Sequence, residues 1–198
     1  MGVVDRYKLR LERKRWLLRA HRKSRQLRVL ADRTDQIRAS DILLFSTLRN
    51  EQIRLPYFFD YYRKLGVNHF LMVDNASQDG GDDWLIDQPD VSLWQTSASY
   101  RRARFGVDWL NWLQMKYAHG HWALVVDVDE FLVYPHCDTR SLRCLTDWLD
   151  ASSIRSFGAL LLDMYPEGAV QDAKYNEGDN PLELAPYFDA GNYMVSKN

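Results

Sequence analysis

The chain has 198 residues, enough for one α/β domain with a sizeable core, and its 46% apolar and 27% charged residues describe a globular protein. Net charge is −1, but residues 1–40 carry 13 Lys and Arg against 4 Asp and Glu, while the remainder carries 13 against 23. The acidic body argues against extensive nucleic-acid binding, and no apolar run approaches the ~20 residues of a membrane span.

The first 40 residues are expected to form a basic helical arm of their own. Residues 5–38 are rich in Arg, Leu and Lys and free of Gly and Pro, which predicts one long helix. Its apolar residues make no clean single stripe, and its longest apolar stretch, Trp16-Leu17-Leu18, is too short for a signal-peptide core. The expectation is a cytoplasmic protein whose arm, residues 1–38, touches the anionic inner face of a membrane. The two cysteines, Cys137 and Cys144, form no CxxC pair, which agrees with a reducing compartment.

From residue 41 strands and helices alternate. Asp41 to Leu48 reads as a buried strand. Leu55, Phe58, Phe59, Tyr62 and Leu65 recur at helical spacing, and Gly66 is placed to end that helix. Val67–Val73 is a second strand, running into the turn formers Asp74-Asn-Ala-Ser-Gln-Asp-Gly-Gly81. A short helix over 82–87 and a strand over 91–96 follow. Then come a helix over 101–118 with Phe105, Trp109, Trp112 and Leu113 inward, and an apolar strand His121–Val126 that stops on Asp127-Val-Asp-Glu130. A helix near 139–150, with Leu142, Leu145, Trp148 and Leu149 as its apolar face, and a strand over 157–162 complete the pattern. Alternating units of this kind predict an α/β fold, a Rossmann-like, mainly parallel sheet flanked by helices, over residues 41–198.

Ligands of such sheets bind beyond the carboxyl ends of the strands. Three strand ends there are polar: Arg49, Asn50 and Glu51; Asp74 and Asn75; Asp127 and Asp129. In an extended segment residues i and i+2 point to one side, so Asp127 and Asp129 are expected to share a hard divalent cation, Mn²⁺ or Mg²⁺. Asp74 reads equally as a ribose or base contact and as a turn cap. Arg101, Arg102 and Arg104 open the following helix, where an anion such as a diphosphate would compensate their opposition to the helix dipole. His69, His119, His121 and His136 have no metal-ligand spacing and read as structural.

The run Leu48-Arg-Asn-Glu51, the helix Leu55–Gly66, the segment Val73-Asp-Asn-Ala-Ser-Gln-Asp-Gly80 and the strand Val125-Val-Asp-Val-Asp-Glu-Phe-Leu-Val133 together resemble bacterial family 2 glycosyltransferases over roughly residues 41–195. The resemblance implies a GT-A fold and metal-dependent transfer of a sugar from a nucleotide diphosphate sugar to a glycan or lipid-linked acceptor hydroxyl, with inversion. It implies that Thr47, Leu48, Arg49, Asn50, Glu51, Asp74 and Asn75 surround the nucleoside. Arg101, Arg104, Asp127 and Val128 complete the donor site, and Asp127 and Asp129 bind the metal. Members of the family continue further, with a general base on the acceptor side. The domain is therefore expected to be cut short at Asn198, with the base either beyond that residue or among the nearby carboxylates, Asp163 and Glu167. The alternatives are a DxD phosphatase, a nucleotidyltransferase or a non-catalytic nucleotide-sugar-binding fragment. The first would place its DxD near the first strand, and the second would carry a Gly-rich triphosphate loop.

Overall fold

The computed structural model describes residues 3–168 and 173–191. Five strands form one sheet in the order β1-β4-β3-β2-β5, where β1 is Arg28–Ala31, β2 Leu43–Leu48, β3 His69–Asp74, β4 Val91–Gln95 and β5 Ala123–Val125. Four strands are parallel, and β1 runs antiparallel along the outer edge of β4. The helices are α1 (Val3–Lys23), α2 (Leu55–Leu65), α3 (Gly81–Ile86), α4 (Val107–Tyr117), α5 (Leu142–Ala151) and α6 (Pro181–Leu184).

The strands β2 and β3 are buried along their whole length because both faces are covered. Ile42, Leu44, Leu48, Phe70, Met72 and Leu93 pack with Phe58, Phe59 and Tyr62 of α2 and Leu142 of α5. On the opposite face Leu43, Phe45, Leu71, Val73 and Trp94 pack with Trp109, Leu110 and Leu113 of α4. All five apolar positions predicted for α2 are buried, and Gly66 closes that helix at φ 107° with its N–H donating to the carbonyls of Tyr62 and Arg63. His69 is structural, as the spacing suggested: its Nε2 lies 2.9 Å from Ser92 Oγ, and burial holds its pKa below the usual value.

The long N-terminal helix differs from expectation. It ends at Lys23, not at residue 38, and residues 28–31 join the sheet instead. The edge of β4 would otherwise expose unpaired backbone groups, and pairing it outweighs the weak local preference of Arg-Val-Leu-Ala for helix. Arg33 secures the return, donating to the carbonyls of Val91 and Ile86 at 2.8 and 2.7 Å. The helix itself lies on α4, with Ala20 fully buried.

Two further expectations are corrected. The helix predicted from 101 starts only at Val107, and Arg101–Ala103 form a separate 3₁₀ turn. Between them Arg104, Phe105 and Gly106 all have positive φ, which turns Phe105 outward, 64% exposed, rather than into the core. The strand predicted over 157–162 is absent: Phe157, Leu160 and Leu161 stand exposed and unpaired with the sheet. The β5 ladder is only three residues long, so its outer side offers little backbone for another strand. Trp148, expected on the apolar face of α5, is likewise exposed.

Asp108 fastens α1 to α4. It is fully buried in the first turn of α4, where the helix dipole favours an anion, and it accepts from Arg19 Nε at 2.6 Å and Arg104 Nε at 2.8 Å. Arg19 also donates to the Arg102 carbonyl. Asp108→Asn is expected to destabilise the fold by about 1.5–3 kcal/mol, the range for hydrogen bonds to charged groups; a denaturant melt beside the parent measures it.

Candidate functional site

The chain order of the parallel strands places the site. From β2 the chain steps outward to β3 and β4, then returns to place β5 on the other side of β2. In sheets of this order the ligand crevice lies at the carboxyl ends of the strands where the order reverses, here β2 and β5. The Asp127-Val128-Asp129-Glu130 turn follows β5 there, and Arg49, Asn50 and Glu51 follow β2.

The acidic turn is not built as its spacing suggested. Beyond Val125 the chain leaves the sheet and folds back, with Glu130 N–H donating to the Asp127 carbonyl at 3.1 Å and Asp127 N–H donating to Glu130 Oε2 at 3.1 Å. Asp127 and Asp129 are exposed rather than embedded in apolar packing; only Val128 between them is buried, in the core beneath α2. The cause is again the short edge strand, which surrenders the extended geometry two residues before Asp127. Val128 therefore anchors the turn and presents no side chain to a ligand.

Two tyrosines of α2 hold this turn: Tyr62, read from the sequence only as a core position, and Tyr61, which was not singled out there. Tyr62 Oη donates to the Glu130 carbonyl at 2.9 Å and accepts from Leu132 N–H at 3.0 Å, while Tyr61 Oη donates to the Leu132 carbonyl at 2.8 Å. Desolvation pushes the Tyr61 hydroxyl up to about 12 and that of Tyr62 higher still, so both remain neutral donors. The only sequence signal was that Tyr, rather than Phe, occupies an inward α2 position facing an acidic loop.

The loops after β2 and β3 are cross-linked. Asn50, at φ 57°, donates its N–H to Ser77 Oγ at 2.9 Å and accepts from Gln78 N–H through Oδ1 at 2.8 Å. Gln52 N–H donates to Asp79 Oδ2 at 2.8 Å. Asp74, fully buried, accepts from Ser77 N–H at 3.1 Å, from the Ser77 hydroxyl and from Gln95 Nε2 at 3.2 Å. Its turn-capping role is thus visible, and a carboxylate retains acceptor capacity beyond these bonds. Asn75 spends both side-chain N–H groups on the carbonyls of Thr96 and Ala98, at 2.8 and 3.0 Å, and its backbone N–H on Leu48. Asn75 and Leu48 therefore brace the edge instead of lining it.

Of the predicted arginines, Arg104 is taken by the scaffold. It pairs with Asp108, Nη2 to Oδ1 2.6 Å, and its guanidinium lies 4.0 Å from the centroid of the Trp16 ring. Arg49 and Arg101 are exposed, with no side-chain bond among the described residues. Glu51 forms an ion pair with Arg54. Asp163 and Glu167 stand exposed on the irregular segment after α5, and no hydrogen bond or ion pair among the described residues links them to the strand ends. Asn198, past which the resemblance would put the base, lies outside the described residues.

The electrostatics favour a cation. Desolvation and then Glu130, Asp129 and Glu51 raise the Asp127 pKa above the ordinary carboxylate value. Tyr100, which sequence reasoning missed, is raised by desolvation and then by Asp127 and Asp129, so its hydroxyl shares their neighbourhood. Thr47 Oγ1 is buried at the end of β2 with no partner among the described residues, and a Cβ on Gly106 would come within 2.8 Å of it. The hard oxygen donors Asp127 and Asp129, under mutual repulsion, suit Mg²⁺ or Mn²⁺. Among the described residues no three His, Cys, Asp or Glu groups converge tightly enough to enclose an ion. Most of the coordination would then come from substrate oxygens and water, the usual habit of Mg²⁺. Searches of family models, curated proteins and solved structures find no match to this chain.

Three outcomes follow from this geometry. Gly106→Ala forces a side chain against Thr47 at φ 79° and is expected to cost about 1–3 kcal/mol, measured by denaturant melt. Tyr62→Phe strands the Leu132 N–H and the Glu130 carbonyl and is expected to cost a similar amount while weakening Mn²⁺ binding, read by titration calorimetry. The pH dependence has a definite sign. Between the unfolded and the raised folded pKa of Asp127 the native state holds more protons, so without metal this residue removes stability as pH rises. Melts across that interval should show Asp127→Asn flattening the fall. In the parent, Mn²⁺ should stabilise increasingly as Asp127 ionises.

Proposed function

We propose that the chain is a metal-dependent glycosyltransferase of GT-A type that binds a nucleotide diphosphate sugar in the crevice between β2 and β5. The observation that carries this reading is the acidic turn Asp127–Glu130 at the point where the sheet order reverses, with the Asp127 pKa raised by desolvation and then by its acidic neighbours. A diphosphate could not approach these carboxylates unaided; a divalent cation, held by Asp127 and Asp129, would neutralise charge on the leaving diphosphate.

The chain's own residues divide the remaining work. Asp74, read from the sequence as a nucleoside contact, is fully buried and instead caps the turn after β3 through Ser77 and Gln95, while the Asn50–Ser77 and Gln52–Asp79 bonds fix the loops at the strand ends. Arg49 and Arg101, unlike Arg104, are free to meet phosphate oxygens. Tyr100 places its hydroxyl in the neighbourhood of Asp127 and Asp129. The acceptor, a glycan or lipid-linked hydroxyl, requires a general base, and Asp163 or Glu167 is the carboxylate offered by the segment after α5. The same reading places the protein in the cytoplasm, in contact with the inner face of a membrane.

Because no contact among the described residues brings Asp163 or Glu167 to the crevice, a second reading is a module that binds the donor without turnover. A thermal-shift screen of nucleotide sugars with and without Mn²⁺ tests the shared claim. A cognate donor at a hundredfold excess over Kd should stabilise the parent by about 2.7 kcal/mol. Asp127→Asn and Asp129→Asn should each abolish the Mn²⁺-dependent part while leaving the fold intact. Stabilisation unchanged in both variants overturns the metal assignment. Stabilisation without release of nucleoside diphosphate in the presence of acceptors selects the binding module.

A further inference from the structure

The helix α1 has two apolar stripes, one turned toward α4, where Ala20 is fully buried while Leu9 and Trp16 stay 49% and 37% exposed, and one turned outward. At 3.6 residues per turn, Leu9, Trp16 and Ala20 fall on one side. That side meets α4: Leu9, Glu12, Arg13, Trp16 and Leu17 line a groove with Asn111, Gln114 and Met115. Half a turn away, Tyr7, Leu11 and Leu18 recur at i, i+4 and i+11 on the outward side, 63%, 48% and 59% exposed. Two stripes on opposite faces explain why the sequence shows no single clean one.

The charges follow the same division. Lys8, Arg15 and Arg22 flank the outward stripe on one side and Arg10 and Lys14 on the other, all exposed. The two acids of the helix, Asp5 and Glu12, fall on the half that faces α4. An outward face with apolar residues along its midline and basic residues along both margins is the pattern of a helix lying in the plane of a bilayer interface.

We propose that the outward face of α1 docks flat on an anionic lipid surface, with Tyr7, Leu11 and Leu18 entering the headgroup region and the five flanking cations meeting lipid phosphates. The stripe spans about 16 Å of helix axis, enough for a surface contact and too little to cross a membrane; no helix of the described residues is long and apolar enough to do so. The Asp108 clasp with Arg19 would then hold the rest of the domain at a fixed attitude to the surface. A nucleic-acid backbone would match the cations but leave three large apolar side chains unpaired, and the acidic body would repel it. This surface is independent of the chemistry proposed for the crevice.

The test is sedimentation of the full chain with vesicles of phosphatidylcholine alone and of phosphatidylcholine mixed with phosphatidylglycerol. Binding is expected to the mixed vesicles, at least tenfold stronger than to phosphatidylcholine, and to weaken with salt. The triple variant Lys8→Glu, Arg15→Glu, Arg22→Glu should lose that binding. Leu11→Ser with Leu18→Ser should weaken it about tenfold at unchanged charge. All substituted positions are exposed, so thermal melts should match the parent. Equal sedimentation with both vesicle types, or a triple variant that binds like the parent, overturns the proposal. So does duplex DNA that competes as well as anionic vesicles at equal salt, or lipid-free dimerisation that the Leu11 and Leu18 changes abolish.

Discussion

Every functional feature of this molecule depends on β2 being buried on both faces and hydrogen-bonded along both edges. Its alternating side chains supply both cores, Leu44 and Leu48 toward α2, Leu43 and Phe45 toward α4. Its two neighbours are β3, paired along all six residues, and β5, paired along three. The chain leaves β2 for β3 and β4 on one side and returns from β4 to β5 on the other, and the strand order reverses between β2 and β5, where such folds place the ligand. The unequal pairing also matters. Six residues of ladder hold Asp74 at a rigid strand end, whereas three let the chain fold into a turn before Asp127.

Six described non-glycine residues have positive φ: Asn50 after β2, Ala76 after β3, Arg104 and Phe105 between β4 and α4, and His136 and Ser153 on either side of α5. Such conformations persist where surrounding bonds over-determine them, and here the bonds are visible. Asn50 is held by Ser77 and Gln78, and Arg104 by Asp108 and Trp16. One network thus runs from α1 through Asp108 to the loop that carries Tyr100 and Phe105. Arg19 also donates to the Arg102 carbonyl, so the same side chain ties the N-terminal helix to that loop.

The N-terminal region is therefore part of the domain. Its helix covers α4 and its short strand closes one side of the sheet. Its charge remains distinct from that of the body: 13 Lys and Arg against 4 Asp and Glu over residues 1–40, and 13 against 23 in the remainder.

The sequence by itself determined the elements whose periodicity or punctuation is local. The heptad-like run Leu55–Leu65 ending at Gly66, the continuous apolar strands β2 and β3 and the acidic residues at the strand ends were all legible, because each depends on neighbours within a few positions. Four things needed the tertiary structure. Residues 28–31 became a strand only because β4 had a bare edge. Arg104 left the candidate ligand set because Asp108, buried beneath α1, claimed it. The Asp127 turn took its shape from two tyrosine hydroxyls about 70 positions away in the chain. And the two apolar stripes of α1 could be told apart only once α4 covered one of them, since a helical pattern records which residues share a side but not which side meets the core.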